Sequence, residues 1–258
     1  MRITFVLPTL DHSGGNRVVA MHAVGLIDRG HQVDVVVPPP APQGLRSSIA
    51  RWLRLDAAPA VGGAPAGGSH VEEAGLKPIV TSNPGPVTAA DVPDADVVIA
   101  TWWETAEWVL SYPASKGAKA YFVQHHEVFD YTPRLRVEAT YRTPRLHRIA
   151  VAQWLVDKLR DDYGDDQVDL VPNAVDHRVF NAPVRRKQPR PPVAFMASSA
   201  PFKGGDVALK VLTRLRAEFP ALRIIAFGTE ALPPSLTASL VIDHVRAPTQ
   251  AQVRDVYA

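Results

Sequence analysis

RITFVLPTLDHSGGNRVVAMHAVGLIDRGHQVDVVV, residues Arg2 to Val37, decides the fold class. The apolar run Ile3 to Leu7 reads as a buried strand and Asp11 to Arg17 as a loop with adjacent glycines. An amphipathic helix follows, then a second apolar strand, Val33 to Val37, which runs into Pro38, Pro39 and Pro40. Strand, loop, helix and strand in that order make one βαβ unit. A Gly-rich turn at the head of a helix lets the backbone approach a ligand closely, and the helix end adds unpaired N–H groups and a partial positive charge. Phosphates and sugar hydroxyls both suit such a place. The turn lacks the G-x-G-x-x-G of a dinucleotide site and no carboxylate closes the second strand, which argues against NAD or FAD. The competing account of Gly14 and Gly15 is a plain tight strand-to-helix turn.

Beyond this unit, Pro38 to Pro93 is rich in Pro, Gly and Ala, with only Leu45 to Leu55 helical in pattern, and reads as a mobile excursion. Alternation then resumes. Strands are expected at Asp96–Ala100, Ala118–Val123, His147–Ala152 and Val168–Val171, with helices near Thr105–Ser111, Arg134–Tyr141 and Leu155–Tyr163. Short apolar runs alternating with helices predict a parallel sheet covered on both faces. The basic, proline-rich Asn181 to Pro192 reads as an interdomain linker. A second Rossmann-like unit starts after it, with strands Val193–Ala197 and Leu222–Phe227, a third near Leu240–Val245, and helices Asp206–Glu218 and Thr249–Tyr257. The predicted organisation is α/β, with domains at 1–182 and 193–258 joined by a linker at 183–192.

With 258 residues, 46% hydrophobic and 21% charged, the chain is ordinary for a globular protein. Zero cysteines exclude disulfides, thiolate zinc sites and cysteine nucleophiles, and fit a cytoplasmic protein. The apolar start is too short for a signal peptide, and no stretch is long enough to span a bilayer. A net charge of +2 is too small for a dedicated nucleic-acid binder. Arginines gather at Arg134, Arg136, Arg142, Arg145 and Arg148, and basic residues again at Arg185, Arg186, Lys187 and Arg190. Two accounts stand for the first group: a solvated helix face, or attraction to an anionic membrane surface or a pyrophosphate-bearing lipid acceptor, which implies peripheral membrane contact.

His125, His126 and Glu127 follow a buried-type strand, where open α/β sheets place ligand-contacting groups, and are the catalytic candidates. A neutral imidazole can hydrogen-bond a sugar hydroxyl, and a carboxylate can orient an acceptor hydroxyl or take its proton. A solvated surface loop is the plainer account. Zinc is disfavoured, since no H-E-x-x-H and no cysteines are present. Trp102 and Trp103 end the preceding strand, where indole faces can stack on an acceptor or simply pack the domain. Thr101 and Glu104 have the spacing of a helix capping box.

Two Rossmann-like units, a diglycine turn in the first, Lys203-Gly204 in the second and VPNAVD (Val171 to Asp176) before the linker together resemble the family 4 glycosyltransferases of the GT-B fold. ATWWETA (Ala100 to Ala106), YFVQHHE (Tyr121 to Glu127), EATYR (Glu138 to Arg142) and Tyr163-Gly164 are similar to the branch containing bacterial rhamnosyltransferases. The resemblance implies a complete N-terminal acceptor-side domain, an incomplete donor domain and sugar transfer in the cleft of the fold. It further implies retention of anomeric configuration, a nucleotide-sugar donor, a polysaccharide, glycolipid or other glycan acceptor, and no bound metal or cofactor. Gly14 and Gly15 match the family's first glycine-rich loop, facing the donor's phosphate and sugar, with Asn16 beside them as a candidate acceptor contact. Lys203 and Gly204 match its lysine-glycine motif on the donor pyrophosphate. Ser198, with Ser199, stands where many members carry an arginine, and is the remaining donor-side candidate. Asn173 and Asp176 match the crossover segment. The family's E-x7-E pair has no counterpart in this sequence, so feeble transfer is expected unless a partner completes the domain. A silent binding module and a sugar-nucleotide epimerase are the alternatives.

Overall fold

A computed structural model describes residues 1–40, 68–181, 190–198, 200, 203–232 and 240–258. The chain divides into two compact units, Met1–Asn173 and Ala174–Ala258, so the boundary falls inside the VPNAVD segment rather than after residue 182.

Among the described residues, the first unit has seven parallel strands: β1 (Arg2–Val6), β2 (Gln32–Val37), β3 (Ile79–Val80), β4 (Val97–Ala100), β5 (Ala118–Val123), β6 (His147–Ala150) and β7 (Asp169–Leu170). Their order across the sheet is β3-β2-β1-β4-β5-β6-β7. Ile3 to Val6 of β1, Val98 to Ala100 of β4 and Ala120 to Val123 of β5 are buried at every position, as strands covered on both faces must be. Helices α1 (Gly14–Ile27), α2 (His70–Glu73), α3 (Trp103–Leu110), α4 (Arg134–Arg142) and α5 (Gln153–Tyr163) make the connections, with two short 3₁₀ turns. α1 turns Val19, Ala20 and Ala23 into the core, a stripe at helical spacing. α5 stops at Gly164, whose φ of 72° is the left-handed conformation that glycine adopts most easily.

The excursion expected from Pro38 to Pro93 is corrected in its second half. Val71, Val87 and Val92 are buried in the main core, the Tyr112 hydroxyl donates to Val87 O at 2.6 Å, and β3 pairs with β2. Isolated valines among glycines and prolines carry no period, so pattern reading missed their burial. The helix expected at Leu45 to Leu55 lies outside the described residues, as do Arg185, Arg186 and Lys187.

The second unit carries β8 (Val193–Met196), α6 (Gly205–Glu218), β9 (Ile224–Gly228), β10 (Ile242–Arg246) and α7 (Gln250–Tyr257). Its described strands form a parallel sheet in the order β10-β9-β8 around Leu212, Ile224 and Leu240.

Of the arginine cluster, Arg148 is 5% exposed and pairs with Asp165, and Arg136 makes a bidentate pair with Glu107 at 3.0 and 2.6 Å. Arg134 meets Glu138 at 2.7 Å, Arg142 lies over the Tyr163 ring at 5.0 Å, and Arg145 donates to Leu110 O at 2.9 Å. All five are engaged inside their own unit. No helix among the described residues is long and apolar enough to cross a membrane.

Candidate active site

The strand order reverses between β1 and β4, and in open α/β sheets ligands bind beyond the carboxyl ends of the strands at such a reversal. The sequence candidates of the first unit collect at that place. Pro8 to Ser13 leave β1, Thr101 and Trp102 leave β4, and Gln124 to Glu127 leave β5. The Thr101 hydroxyl donates to Val6 O at 2.9 Å, fastening the end of β4 to that of β1.

The β1–α1 loop is organised by a residue that sequence reading passed over. Asp11 is 2% exposed; its Oδ1 accepts from Ser13 N at 2.8 Å and Asn16 Nδ2 at 2.7 Å, and its Oδ2 from the Thr9 hydroxyl at 3.0 Å. An Asx-type turn of this kind closes on its own backbone two residues on. Ser13 then caps α1, accepting from Asn16 N at 3.3 Å. Asn16 also donates to Thr9 O at 3.0 Å and is buried. Its amide therefore holds the loop together, which corrects the acceptor contact expected of it.

Gly14 and Gly15 open α1, and neither has a positive φ. A Cβ at Gly14 would meet nothing within 4 Å, and one at Gly15 would meet only the Gln124 side chain, at 3.4 Å. The turn itself therefore does not demand these glycines. Lys203-Gly204 differs. Gly204 has a φ of 66° and Gly205 has no room for a Cβ, which would lie 2.7 Å from Ser198 O. The exposed Lys203 stands just before the N-terminus of α6, whose N-cap residue, Gly204, has no side chain to cap the helix. The Ser198 hydroxyl faces Glu230 Oε1 at 3.3 Å and accepts from Ala200 N at 3.3 Å, so Ser198 shapes this loop.

Glu127 is 1% exposed. Its Oε2 accepts from Trp103 N at 2.7 Å and from the Tyr121 hydroxyl at 2.5 Å, while its own N–H donates to the Tyr141 hydroxyl at 3.0 Å. Burial pushes its carboxyl up to about 8, against the opposing hydrogen bonds from Tyr121 and Trp103. The carboxyl thus caps the first amide of α3 from a neighbouring loop and is shut off from solvent. This corrects the direct catalytic role expected of it to a positioning one. The capping box expected from Thr101 and Glu104 is corrected too: the Thr105 hydroxyl accepts from Thr101 N and Trp102 N at 2.9 and 3.0 Å. Thr105 takes the Thr101 amide that Glu104 would have reached, and Glu127 takes the Trp103 amide from inside the fold; Glu104 is half-buried, its carboxyl pushed up by burial.

His126 Nε2 lies 2.7 Å from the Tyr163 hydroxyl and its ring stacks on Tyr141 at 5.7 Å; burial, then the Lys158 charge, lowers its pKa. It joins α4 and α5 rather than presenting itself to a ligand. His125 is half-buried. Its Nδ1 donates to His126 O at 3.0 Å, which makes Nε2 the acceptor nitrogen of the neutral ring. Its ring stacks on Phe129 at 5.1 Å and meets Trp154 edge-on at 5.7 Å; Phe129 stacks in turn on Trp102 at 6.4 Å and on Tyr131 at 5.1 Å. Trp102 and His125 are therefore brought together through Phe129, beside Trp154, which is half exposed. Trp103 is corrected from an acceptor contact to a core residue, 5% exposed under the Arg136 guanidinium, 4.9 Å from its ring. Phe129, Tyr131 and Trp154 carried no sequence signal, because Trp154 lies on α5 while Phe129 and Tyr131 lie in the loop after β5, and they align only in space.

No protein-family model matches the chain, and no curated protein matches it in sequence. Solved structures do match in shape. A TarM variant from S. aureus, in complex with Fondaparinux, alpha-GlcNAc-glycerol and UDP, superposes with a TM-score of 0.66 at 10% identity, over 96% of this chain and 77% of its own. A glycosyltransferase from Rickettsia africae gives 0.56 at 14% identity, over 99% and 70%. A Listeria monocytogenes protein described as a UDP-N-acetylglucosamine 2-epimerase gives 0.55 at 8% identity, over 98% and 70%. At such identities the likeness speaks for architecture alone, and on that architecture the chain has the α/β GT-B fold.

Proposed function

We propose that this protein is a glycosyltransferase that moves a sugar from a nucleotide-sugar donor to a glycan or lipid-linked glycan acceptor, with retention of anomeric configuration, as in family 4. The observation that carries the reading is the pair Gly14 and Gly15, kept free of side chains at the switch point of a GT-B fold although the backbone does not require it. Space held open at a helix N-terminus suits a phosphate or a sugar. Lys203 and the start of α6, with glycine at its N-cap, supply the cation and N–H groups for the pyrophosphate, whose charge grows as the glycosidic bond breaks. His125 and the aromatic surface from Trp102 to Trp154 receive the acceptor, imidazole to hydroxyl and indole to sugar face.

Calorimetric titration with UDP-glucose and UDP-N-acetylglucosamine tests the reading. Lys203→Ala is expected to weaken donor binding by about 10-fold to 100-fold, the worth of one charge-assisted contact. Gly14→Leu fills open space and is expected to leave the melting temperature unchanged while lowering transfer by about 100-fold. Unaltered donor affinity in Lys203→Ala would remove that residue from the site. The epimerase reading, suggested by the Listeria likeness, is separated by incubation with nucleotide sugar alone: an epimerase converts it without acceptor, and a transferase does not.

A further inference from the structure

One cluster of chemistry-bearing side chains stands outside the transfer machinery. His12 comes from the β1–α1 loop, and His70 and Glu73 lie one turn apart on α2. His12 Nε2 is 3.0 Å from Glu73 Oε1, and His70 Nδ1 is 2.9 Å from Glu73 Oε2. The two imidazoles meet edge to face with centroids 5.0 Å apart. One ligand atom from each residue lies within 4.8 Å of the others, where three ligands of a tetrahedral zinc ion stand about 3.4 Å apart for bonds of about 2.1 Å.

The cluster is fastened from both sides. Asp11, which organises the loop carrying His12, also accepts from His70 N through its carbonyl oxygen at 3.3 Å. Val71 is buried in the core beneath α2, and Ser69 caps that helix, accepting from Glu72 N at 3.2 Å and donating to Glu72 Oε2 at 2.8 Å. The histidine side chains are 19% and 14% exposed and Glu73 is 55% exposed, so one side of the cluster opens to solvent. Burial acts to raise the Glu73 carboxyl, but hydrogen bonds from His12 and His70 hold it below its ordinary range, ready as an anion.

We propose that His12, His70 and Glu73 form a binding site for a divalent transition-metal ion, zinc foremost, with a fourth coordination position left to water or an anionic oxygen. Two neutral imidazoles and one carboxylate suit Zn²⁺, whereas Mg²⁺ and Ca²⁺ ask for oxygen ligands throughout. Three protein ligands with one open place is the arrangement of an accessible rather than a sealed zinc site. The bound ion would tie residues 68–75 to the loop that runs from His12 into Gly14. The expectation of no metal rested on the family resemblance and on the absence of H-E-x-x-H and of cysteines; His12 and His70 are 58 positions apart and meet only on folding. This site stands independently of the glycosyl-transfer reading.

The test is calorimetric titration of ZnCl₂ into the tag-free, chelator-treated full chain, paired with thermal unfolding. One equivalent is expected to bind, raising the melting temperature by about 5 °C at a hundredfold excess over the dissociation constant. His70→Ala and Glu73→Gln each weaken binding by at least about tenfold. Glu73→Gln replaces an exposed side chain by one of the same shape, so circular dichroism of this variant stays that of the parent while binding is lost. His177→Ala, in the second unit, binds as the parent does. The proposal is overturned by the absence of a saturable one-to-one event, by site variants that bind like the parent, or by Mg²⁺ displacing Zn²⁺ at equal concentration.

Discussion

Glu127→Ala is expected to destabilise the protein by about 3 kcal/mol, and Glu127→Gln to abolish a fall in stability that the parent shows as pH rises from 5 to 8. The alanine variant strips the acceptor from two buried donors at once, the Trp103 amide and the Tyr121 hydroxyl, and leaves a void beside the stacked Tyr121 and Tyr141 rings. Each orphaned donor costs about 1–3 kcal/mol, and the void adds to it. The pH effect has a definite sign. In the unfolded chain this carboxyl loses its proton near the ordinary value of about 4.3, whereas in the folded protein it does so at about 8. Between those values the native state holds a proton that the unfolded state has released. Stability from this group is therefore complete below the unfolded value and is lost as pH climbs toward 8, at up to about 1.4 kcal/mol per pH unit. Glutamine accepts from both donors and does not titrate. Urea denaturation of parent and Glu127→Gln at pH 5, 6, 7 and 8 isolates the group, since all other ionisations are shared. Equal pH slopes in the two proteins would show that Glu127 titrates normally, and an alanine variant within 1 kcal/mol of the parent would remove its capping role.

How much of this was legible in the sequence depends on what kind of signal each part carries. Strands such as Ala118–Val123 and helices such as Arg134–Arg142 repeat an apolar pattern over several residues, and they stand where that pattern places them. β3 is two residues long and α2 four, too short for any period, so both hid within a proline-rich and glycine-rich stretch. Turn chemistry was the other blind spot. The box expected from Thr101 and Glu104 obeys a local spacing rule, but Thr105 takes the Thr101 amide instead, and Glu127 caps the Trp103 amide from 24 positions away. Tertiary partners outcompete local ones when they arrive already buried, since their ordering has been met by the core.

The site shows the same division. His125, His126 and Glu127 are neighbours in sequence but diverge in space: one toward the aromatic surface, one to Tyr163, one into the core against α3. The chain bends at His125 as it leaves β5, so three consecutive side chains take different partners, and a motif of polar residues marks a place and not a set of roles. Conversely, Asp11 looked like a loop residue and proved to be the hub from which Ser13, Asn16 and His70 are set.

Gly205→Ala is expected to cost the second unit about 2 kcal/mol and weaken donor binding by about 100-fold, while Gly14→Ala alters stability by less than about 0.5 kcal/mol. The two glycines form a matched pair. Each is the first residue of a 14-residue helix that follows a parallel strand, α1 in one unit and α6 in the other. Their surroundings differ: the added carbon finds nothing within 4 Å at Gly14, and the Ser198 carbonyl oxygen at 2.7 Å at Gly205. That oxygen belongs to backbone just beyond β8 and cannot rotate away, so either the strand end or the helix start must move. Both lie next to Lys203, and displacing them withdraws the cation and the helix N-terminus together. The second unit has little to absorb the strain, since its core centres on Leu212, Ile224 and Leu240, with Val193, Phe195 and Leu209 only half covered. Hydrogen exchange of the β8 and α6 amides, read beside UDP-sugar titration, follows both consequences. Fast exchange confined to the second unit with lost donor binding is the expected pattern. Unchanged exchange with lost binding would place the alanine methyl against the donor instead of the strand, and unchanged binding would separate this loop from the donor site altogether.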